Sequence, residues 1–266
     1  MEMTATPSAG ERRDTSAQKR VMNVFLIIDT SGSMTGEPIG MVNQAIRETI
    51  PDLVQVQKNS EGAEIRIAIM KFDNAAKWVT PPEPVEDYAH VDFGASGGTN
   101  AGAAFELLSS KLSRAEFLHS AGGHYAPLIL FLTDGESFEG WQSKLDELKK
   151  NNWFKAAIKV VLAAGLDATT AEAWKLFKSF TNEELIFYAN TPEKIKGLIQ
   201  LLTVHTSQWV TQGGSRGGAQ SSSQASSADS GLAPDPFEQD GVDAEAEIIE
   251  LLGQMDELEP PPPPAL

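Results

Sequence analysis

The run Val21 to Ile28 is apolar at every position but Asn23, and it stops abruptly at an acid, Asp29. Eight such residues without polar alternation read as a strand buried on both faces, because a half-exposed strand alternates and a surface helix repeats at three and four. A strand of that kind demands cover on two sides, which constrains the fold more than any other segment. A second one, Pro127 to Leu132, ends in Thr133-Asp134.

The segments around these two runs alternate between strand and helix patterns. Glu37-Pro38 suits a first helical turn, and Val42, Ala45, Ile46, Thr49, Ile50 and Leu53 follow at helical spacing, with Pro51 expected to kink or end the helix. Glu64 to Phe72 alternates as a partly exposed strand does. Lys77 to Thr80 reads as a short edge strand stopped by Pro81, Pro82 and Pro84. Helices are expected at Ala101 to Leu112, Trp141 to Lys150 and Thr170 to Ser179, with strands at Ala157 to Ala163 and Leu185 to Ala189. Thr191-Pro192 supplies the cap and first turn of a last helix, with Ile195, Leu198, Ile199 and Leu202 on its apolar stripe. This alternation predicts an α/β chain: a doubly wound, Rossmann-like, mostly parallel six-stranded sheet with helices on both faces.

Composition changes after Thr211. Of the formal charge of -16 over 266 residues, Gln208 to Leu266 supplies -10, from eleven acids against Arg216 alone. The expected organisation is a disordered segment 1–20, a domain 21–210, a Gly/Ser/Gln-rich linker 211–234 and an acidic amphipathic segment 235–266 with a Pro-rich end. So acidic a chain is a poor ligand for phosphate backbones, which disfavours nucleic acid as its partner. It has no cysteine, and so no disulfide, thiolate metal site or cysteine nucleophile. No segment has the roughly 20 apolar residues that span a bilayer, and Met1 to Arg20 has no apolar leader core, so a soluble, cytoplasmic protein without membrane association is expected.

Asp29-Thr30-Ser31-Gly32-Ser33 is the chemical centre of the chain. A carboxylate and two hydroxyls at alternate positions can hold part of the oxygen shell that a hard divalent cation prefers. Gly97-Gly98-Thr99-Asn100 and Thr133-Asp134-Gly135 offer further oxygens beside predicted elements. In a doubly wound sheet, binding loops gather at the carboxyl ends of the strands where strand order reverses, which would bring Asp29 and Asp134 together with Thr99 between them. Competing chemistries fit less well. An aspartate nucleophile would want a second acid two residues on, where Ser31 stands. Gly94 to Gly102 lacks the lysine of a nucleotide loop, and His90, His119, His124 and His205 show no paired ligand spacing. No catalytic triad or nucleophile elbow is visible, and the chain is read as a non-enzyme.

Asp29, Ser31, Ser33, Thr99 and Asp134 match the five positions of the metal-ion-dependent adhesion site of von Willebrand factor A domains, a resemblance that covers roughly Val21 to Val210. It implies that Ser31, Ser33 and Thr99 ligate the cation, magnesium or else manganese or calcium. Asp29 and Asp134 would act through water or by orienting the hydroxyls, and a partner protein would supply a carboxylate. Phe25-Leu-Ile-Ile-Asp-Thr-Ser-Gly-Ser-Met, Gly36-Glu-Pro-Ile, Val42-Asn-Gln-Ala-Ile and Ser96-Gly-Gly-Thr-Asn further resemble the TerY-like proteins of bacterial tellurium-resistance and stress systems. That resemblance implies association with a Ser/Thr kinase and a PP2C-type phosphatase; the acidic extension is not part of its pattern. Partner contacts are expected from Glu37, Phe138 and Trp141 on the rim, with Asp73 as a turn residue there. The main alternative is docking through the acidic segment by Ile248, Leu252 and Met255; a metal-dependent phosphohydrolase ranks below both.

Overall fold

The computed structural model describes residues 19–60, 63–120, 123–135, 137, 140–164, 170–188 and 191–211, with 246 and 250. The expected N-terminal segment, linker and acidic segment, with Ile248, Leu252 and Met255, therefore lie almost wholly outside the described residues. Strand β1 (Arg20–Asp29) is buried at every position after Arg20. It pairs in parallel with β2 (Ala63–Phe72) on one side and β4 (Leu128–Thr133) on the other. Beyond β4 follow β5 (Ile158–Ala163) and β6 (Ile186–Tyr188), both parallel, and β3 (Ala76–Pro84) closes the far side of β2 antiparallel. Among the described residues this makes one six-stranded sheet, ordered β3-β2-β1-β4-β5-β6.

Alternation along β1 divides the core. Met22, Val24, Leu26 and Ile28 face a layer formed by α1 (Glu37–Asn59) and α6 (Pro192–Thr211). Phe25 and Ile27 face the other layer, formed by α2 (Ala101–Lys111), α3 (Trp141–Leu148) and α5 (Ala171–Phe180), with short α4 (Asn152–Ala156) beside them. The second layer is held by aromatic rings: Phe131 of β4 stacks on Phe72 and Phe180, at 5.5 and 5.0 Å between centroids, and tilts against Phe105 at 5.6 Å. Offset stacks of this kind add to the area term of burial.

Local departures from expectation each have a cause. Helix α1 runs through Pro51 to Asn59; Pro51 is exposed, so the carbonyl it leaves without a helical donor stands on the water-facing side. Strand β2 buries Ala68 and Met70 as well as its isoleucines, because α2 and the aromatic layer cover the face that alternation assigned to solvent. Strand β3 continues through Pro81, Pro82 and Pro84. The four residues Thr80 to Glu83 lie against the three residues Ile67 to Ile69 of β2, so Pro81 and Pro82 sit at a bulge on an edge, where a missing N–H breaks no ladder. The helix expected over Trp141 to Lys150 stops at Leu148, and Asn151 caps a separate α4 with bonds from the Trp153 and Phe154 amides. At α6, Thr191 Oγ1 accepts from the Lys194 amide, the cap that Thr-Pro implied.

Phe131, fully buried among three rings, carries much of the second layer. Phe131→Ala is expected to destabilise the chain by about 3–5 kcal/mol in urea unfolding, with an unchanged slope against denaturant.

Candidate metal centre

Strand order reverses between β1 and β4, and the carboxyl ends of those two strands carry the acids. The β1–β4 register pairs Ile28 with Leu132, which sets Thr133 opposite Asp29 and Asp134 one residue beyond. Asp29 is fully buried. Its Oδ1 accepts the Ser31 amide at 2.9 Å and its Oδ2 accepts the Thr133 hydroxyl at 2.7 Å, a contact across 104 residues of sequence. Thr133 Oγ1 in turn accepts the Gly135 amide at 3.0 Å. Both carboxylate oxygens are thus held by groups whose own positions the sheet fixes.

Ser31 is buried and Ser33 exposed, and their hydroxyls stand 3.0 Å apart. The loop before α2 is tied to the same place by backbone bonds: the Gly32 amide donates to Gly97 O at 2.9 Å, and the Ser96 amide to Thr30 O at 2.8 Å. Asn74, after β2, accepts the Gly98 amide at 2.9 Å. Asn100 caps α2 by accepting the Ala103 amide at 3.0 Å. These bonds place Thr99, itself buried, beside Ser33 on the wall of a cleft of about 460 Å³ that Gly97, Gly135, Ser137 and Glu172 also line.

Two glycines are required here. Gly135 has φ +90, and a Cβ on it would stand 2.3 Å from Ala173 Cβ, so α5 approaches the loop after β4 only because nothing is there. Gly97 has φ +86 and would meet the Asn74 side chain at 2.7 Å.

Burial pushes the Asp29 carboxyl up to about 6, against the lowering effect of its bonds from Ser31 and Thr133 and with a further push from the Asp134 charge. The site therefore consists of two acids that disfavour each other's ionisation, three hydroxyls and no protein cation among the groups that act on Asp29. An all-oxygen set of this composition fits a hard divalent cation, whose charge would favour both carboxylates at once. Among the described residues no cluster of three or more His, Cys, Asp and Glu converges.

The sequence-predicted residues divide accordingly. Asp29, Ser31 and Ser33 meet in one turn after β1, Thr99 lines the same cleft, and Asp134 acts electrostatically on Asp29. Trp141 is corrected: it is 4% exposed in the second core layer, so it packs and presents no ring to a partner. Glu37 is exposed at the first residue of α1, outside the cleft lining, and Phe138 lies outside the described residues. Asp73 is a turn residue, accepting the Ala75 amide at 3.2 Å while its carbonyl accepts the Asn100 amide. Sequence reasoning missed Thr133, Asn74 and Glu172. Thr133 was legible in principle, as the residue in register with Asp29.

The sequence from 24 to 136 matches the family model of the von Willebrand factor type A domain, a stretch that contains all five candidate ligands. With the six-stranded sheet and its helices, the fold is von Willebrand factor A-like. The chain is similar in structure to the D319A mutant of the PilB minor pilin from Streptococcus sanguinis, at 12% identity, 75% of this chain, 64% of that chain and TM-score 0.53. It is also similar to the pilus adhesin SpaC from Lactobacillus rhamnosus GG in its open conformation, at 11% identity, 71% and 31% coverage and TM-score 0.52. Proximal thread matrix protein 1 from the mussel byssus, in a structure with a zinc-occupied MIDAS motif, matches at 14% identity, 69% and 47% coverage and TM-score 0.47. This chain spans about half the length of that mussel chain. No curated protein matches the sequence. Among the described residues, no helix is long and apolar enough to cross a membrane.

The raised Asp29 pKa has a defined sign in stability. Below about pH 4 folded and unfolded chains both hold the proton, and Asp29 contributes nothing. Between there and about 6 the unfolded chain releases its proton first, so stability falls as pH rises, and above about 6 the full cost of about 3 kcal/mol is present. Metal-free Asp29→Asn is therefore expected to melt higher than the metal-free wild type at pH 7 and level with it at pH 4. Only the wild type should gain melting temperature on adding magnesium, since a ligand of the folded state alone stabilises it by mass action.

Proposed function

We propose that this chain is a divalent-metal-dependent protein-binding module and not an enzyme. Ser31, Ser33 and Thr99 hold the cation; Asp29 and Asp134 balance its charge through water or by orienting the hydroxyls. The observation that carries this reading is the convergence of a buried Asp29, the Ser31–Ser33 hydroxyl pair and Thr99 on one open cleft at the switch point of the sheet. The two serine hydroxyls, 3.0 Å apart and hydrogen-bonded to each other, lie close enough for one small hard cation to take both, magnesium in this reading with manganese or calcium as alternatives.

When bound, the cation supplies a positive charge at the floor of an open cleft, to which an acidic side chain of the partner is complementary. The protein's own task is to hold its oxygens in place before the partner arrives. Asp29 is fixed from both sides by Ser31 and Thr133, and the loop of Thr99 is tied to β1 through Gly32 and Thr30. That clamping also argues against Asp29 as a phosphatase nucleophile, because neither carboxylate oxygen is left without a donor. The motif likeness to TerY-like proteins supports a place in a bacterial stress or tellurium-resistance system, with a Ser/Thr kinase and a PP2C-type phosphatase as associates. A cytoplasmic site of action belongs to the same reading.

Capture from native lysate tests the reading, with wild type and Asp29→Ala as baits, each in magnesium and in chelator. Partners should be lost under either perturbation, and calorimetry should show cation affinity weakened about 10–100-fold in the variant. Partners indifferent to both, but lost on deleting Asp235 to Leu266, would move recognition to the acidic segment and to Ile248, Leu252 and Met255.

A further inference from the structure

The end of the sheet opposite the cation cleft gathers several arginines. Arg20 opens β1, its guanidinium donating to His124 O at 2.8 Å and lying 4.0 Å over the Tyr125 ring. Arg66 stands near the start of β2, and Arg114 and His119 follow α2. Burial holds the His124 imidazole down to about 4, and the charges of Arg66, His119, Arg114 and Arg20 all push it the same way. Three arginines thus bear on one point of a chain whose net charge is -16.

Beside that point is a second cleft, of about 410 Å³, lined by Arg66, Pro81, Pro82, Glu116, Phe117 and His119. Both its charged residues are paired, Glu116 with Lys111 at 2.6 Å and Arg66 with Glu64 at 2.5 Å, the latter pair about one-third exposed and open to exchange. Its apolar wall is ordered, since the Phe117 ring meets Trp78 edge-on at 4.9 Å. An aromatic and proline floor, with Arg66 in its lining and Arg114 next to the lining residue Ala115, fits a proline-containing peptide flanked by acids. A proline run loses little conformational freedom on docking against such a surface.

The chain contains such a peptide, Asp256-Glu257-Leu258-Glu259 followed by Pro260 to Pro264. It is tethered at the right end. Helix α1 starts beside the metal loop and ends at Asn59, just before β2 begins. Helix α6 runs alongside it in the same sense, Lys196 meeting Glu48 and Asp52 and Gln200 meeting Asp52. Thr211 therefore lies toward the end of the sheet that carries Arg20. Only 44 residues, 212 to 255, separate Thr211 from that peptide, and a tether within one chain makes even a weak contact effective.

We propose that the Arg66–Phe117 cleft is the docking site of the chain's own acidic, proline-rich segment Asp256–Pro264, bound in cis. The contact is independent of the cation site and holds the segment away from it. Because the chain has no cysteine, a nitroxide on Ala265→Cys in the full-length protein reports the contact by broadening nearby amide resonances. Broadening is expected at Ala115, Phe117 and His119 in low salt. It should be absent in 1 M salt, where the screening length is about 3 Å, and absent in Asp256→Lys/Glu257→Lys/Glu259→Lys, which leaves the folded domain unaltered. Arg66→Glu/Arg114→Glu should abolish it too, and combining the two sets should restore it. Broadening at Ser33 and Thr99 instead, or none at the cleft, would overturn the proposal. So would cleft broadening that appears only when spin-labelled and isotope-labelled chains are mixed, since that contact is between copies.

Discussion

A carboxylate buried at the end of the central strand is the constraint on which the upper end of this molecule depends. Asp29 lies between β2 and β4, with no exposed surface, and it is held by the Ser31 amide and the Thr133 hydroxyl. Those two bonds lower its pKa, yet burial outweighs them. A chain seeking stability alone would place an apolar residue here. Retaining an acid at this position is intelligible when a cation of the folded state offsets the cost, which is the pattern of perturbed groups at functional sites.

The same constraint explains the loops. Hydroxyl ligands bind a cation weakly one at a time, so the site depends on their being held together before binding. Gly32 to Gly97, Ser96 to Thr30 and Gly98 to Asn74 are bonds between loops, not within elements. Asn43 of α1 extends this network, its side chain donating to Phe93 O at 2.9 Å and accepting the Phe93 amide at 2.8 Å. The long connection from β3 to α2, which has little regular structure, is thereby fixed to the helix layer beneath it. Such bonds exchange protein for water partners at a net gain of about 1 kcal/mol each, so their main effect is positional.

Much of this was readable from sequence because apolar runs and turn chemistry are local. Val21 to Ile28 and Pro127 to Leu132 announced the two central strands, and Thr191-Pro192 announced the start of α6. What escaped was set by neighbours. The continuation of β3 through three prolines depends on its being an edge with a bulge, which no residue of β3 encodes alone. Trp141 follows a binding loop in sequence but turns into the core because α3 packs against α2. Thr133 was overlooked because its partner, Asp29, is 104 residues away, and only strand register makes them opposite. The candidate ligands were legible as residue types at spacings, whereas their convergence belongs to topology.

The two ends of the sheet differ electrostatically for a related reason. Strand carboxyl ends feed loops that carry Asp29 and Asp134, while strand amino ends begin with Arg20 and, on β2, Glu64 and Arg66, the last two paired with each other. Parallel strands force all carboxyl ends to one side, so Asp29 and Asp134 fall together there, whereas at the amino ends the Glu64–Arg66 pair cancels. Over a domain of this size, with screening lengths of about 8–10 Å, that polarity is felt locally at each end.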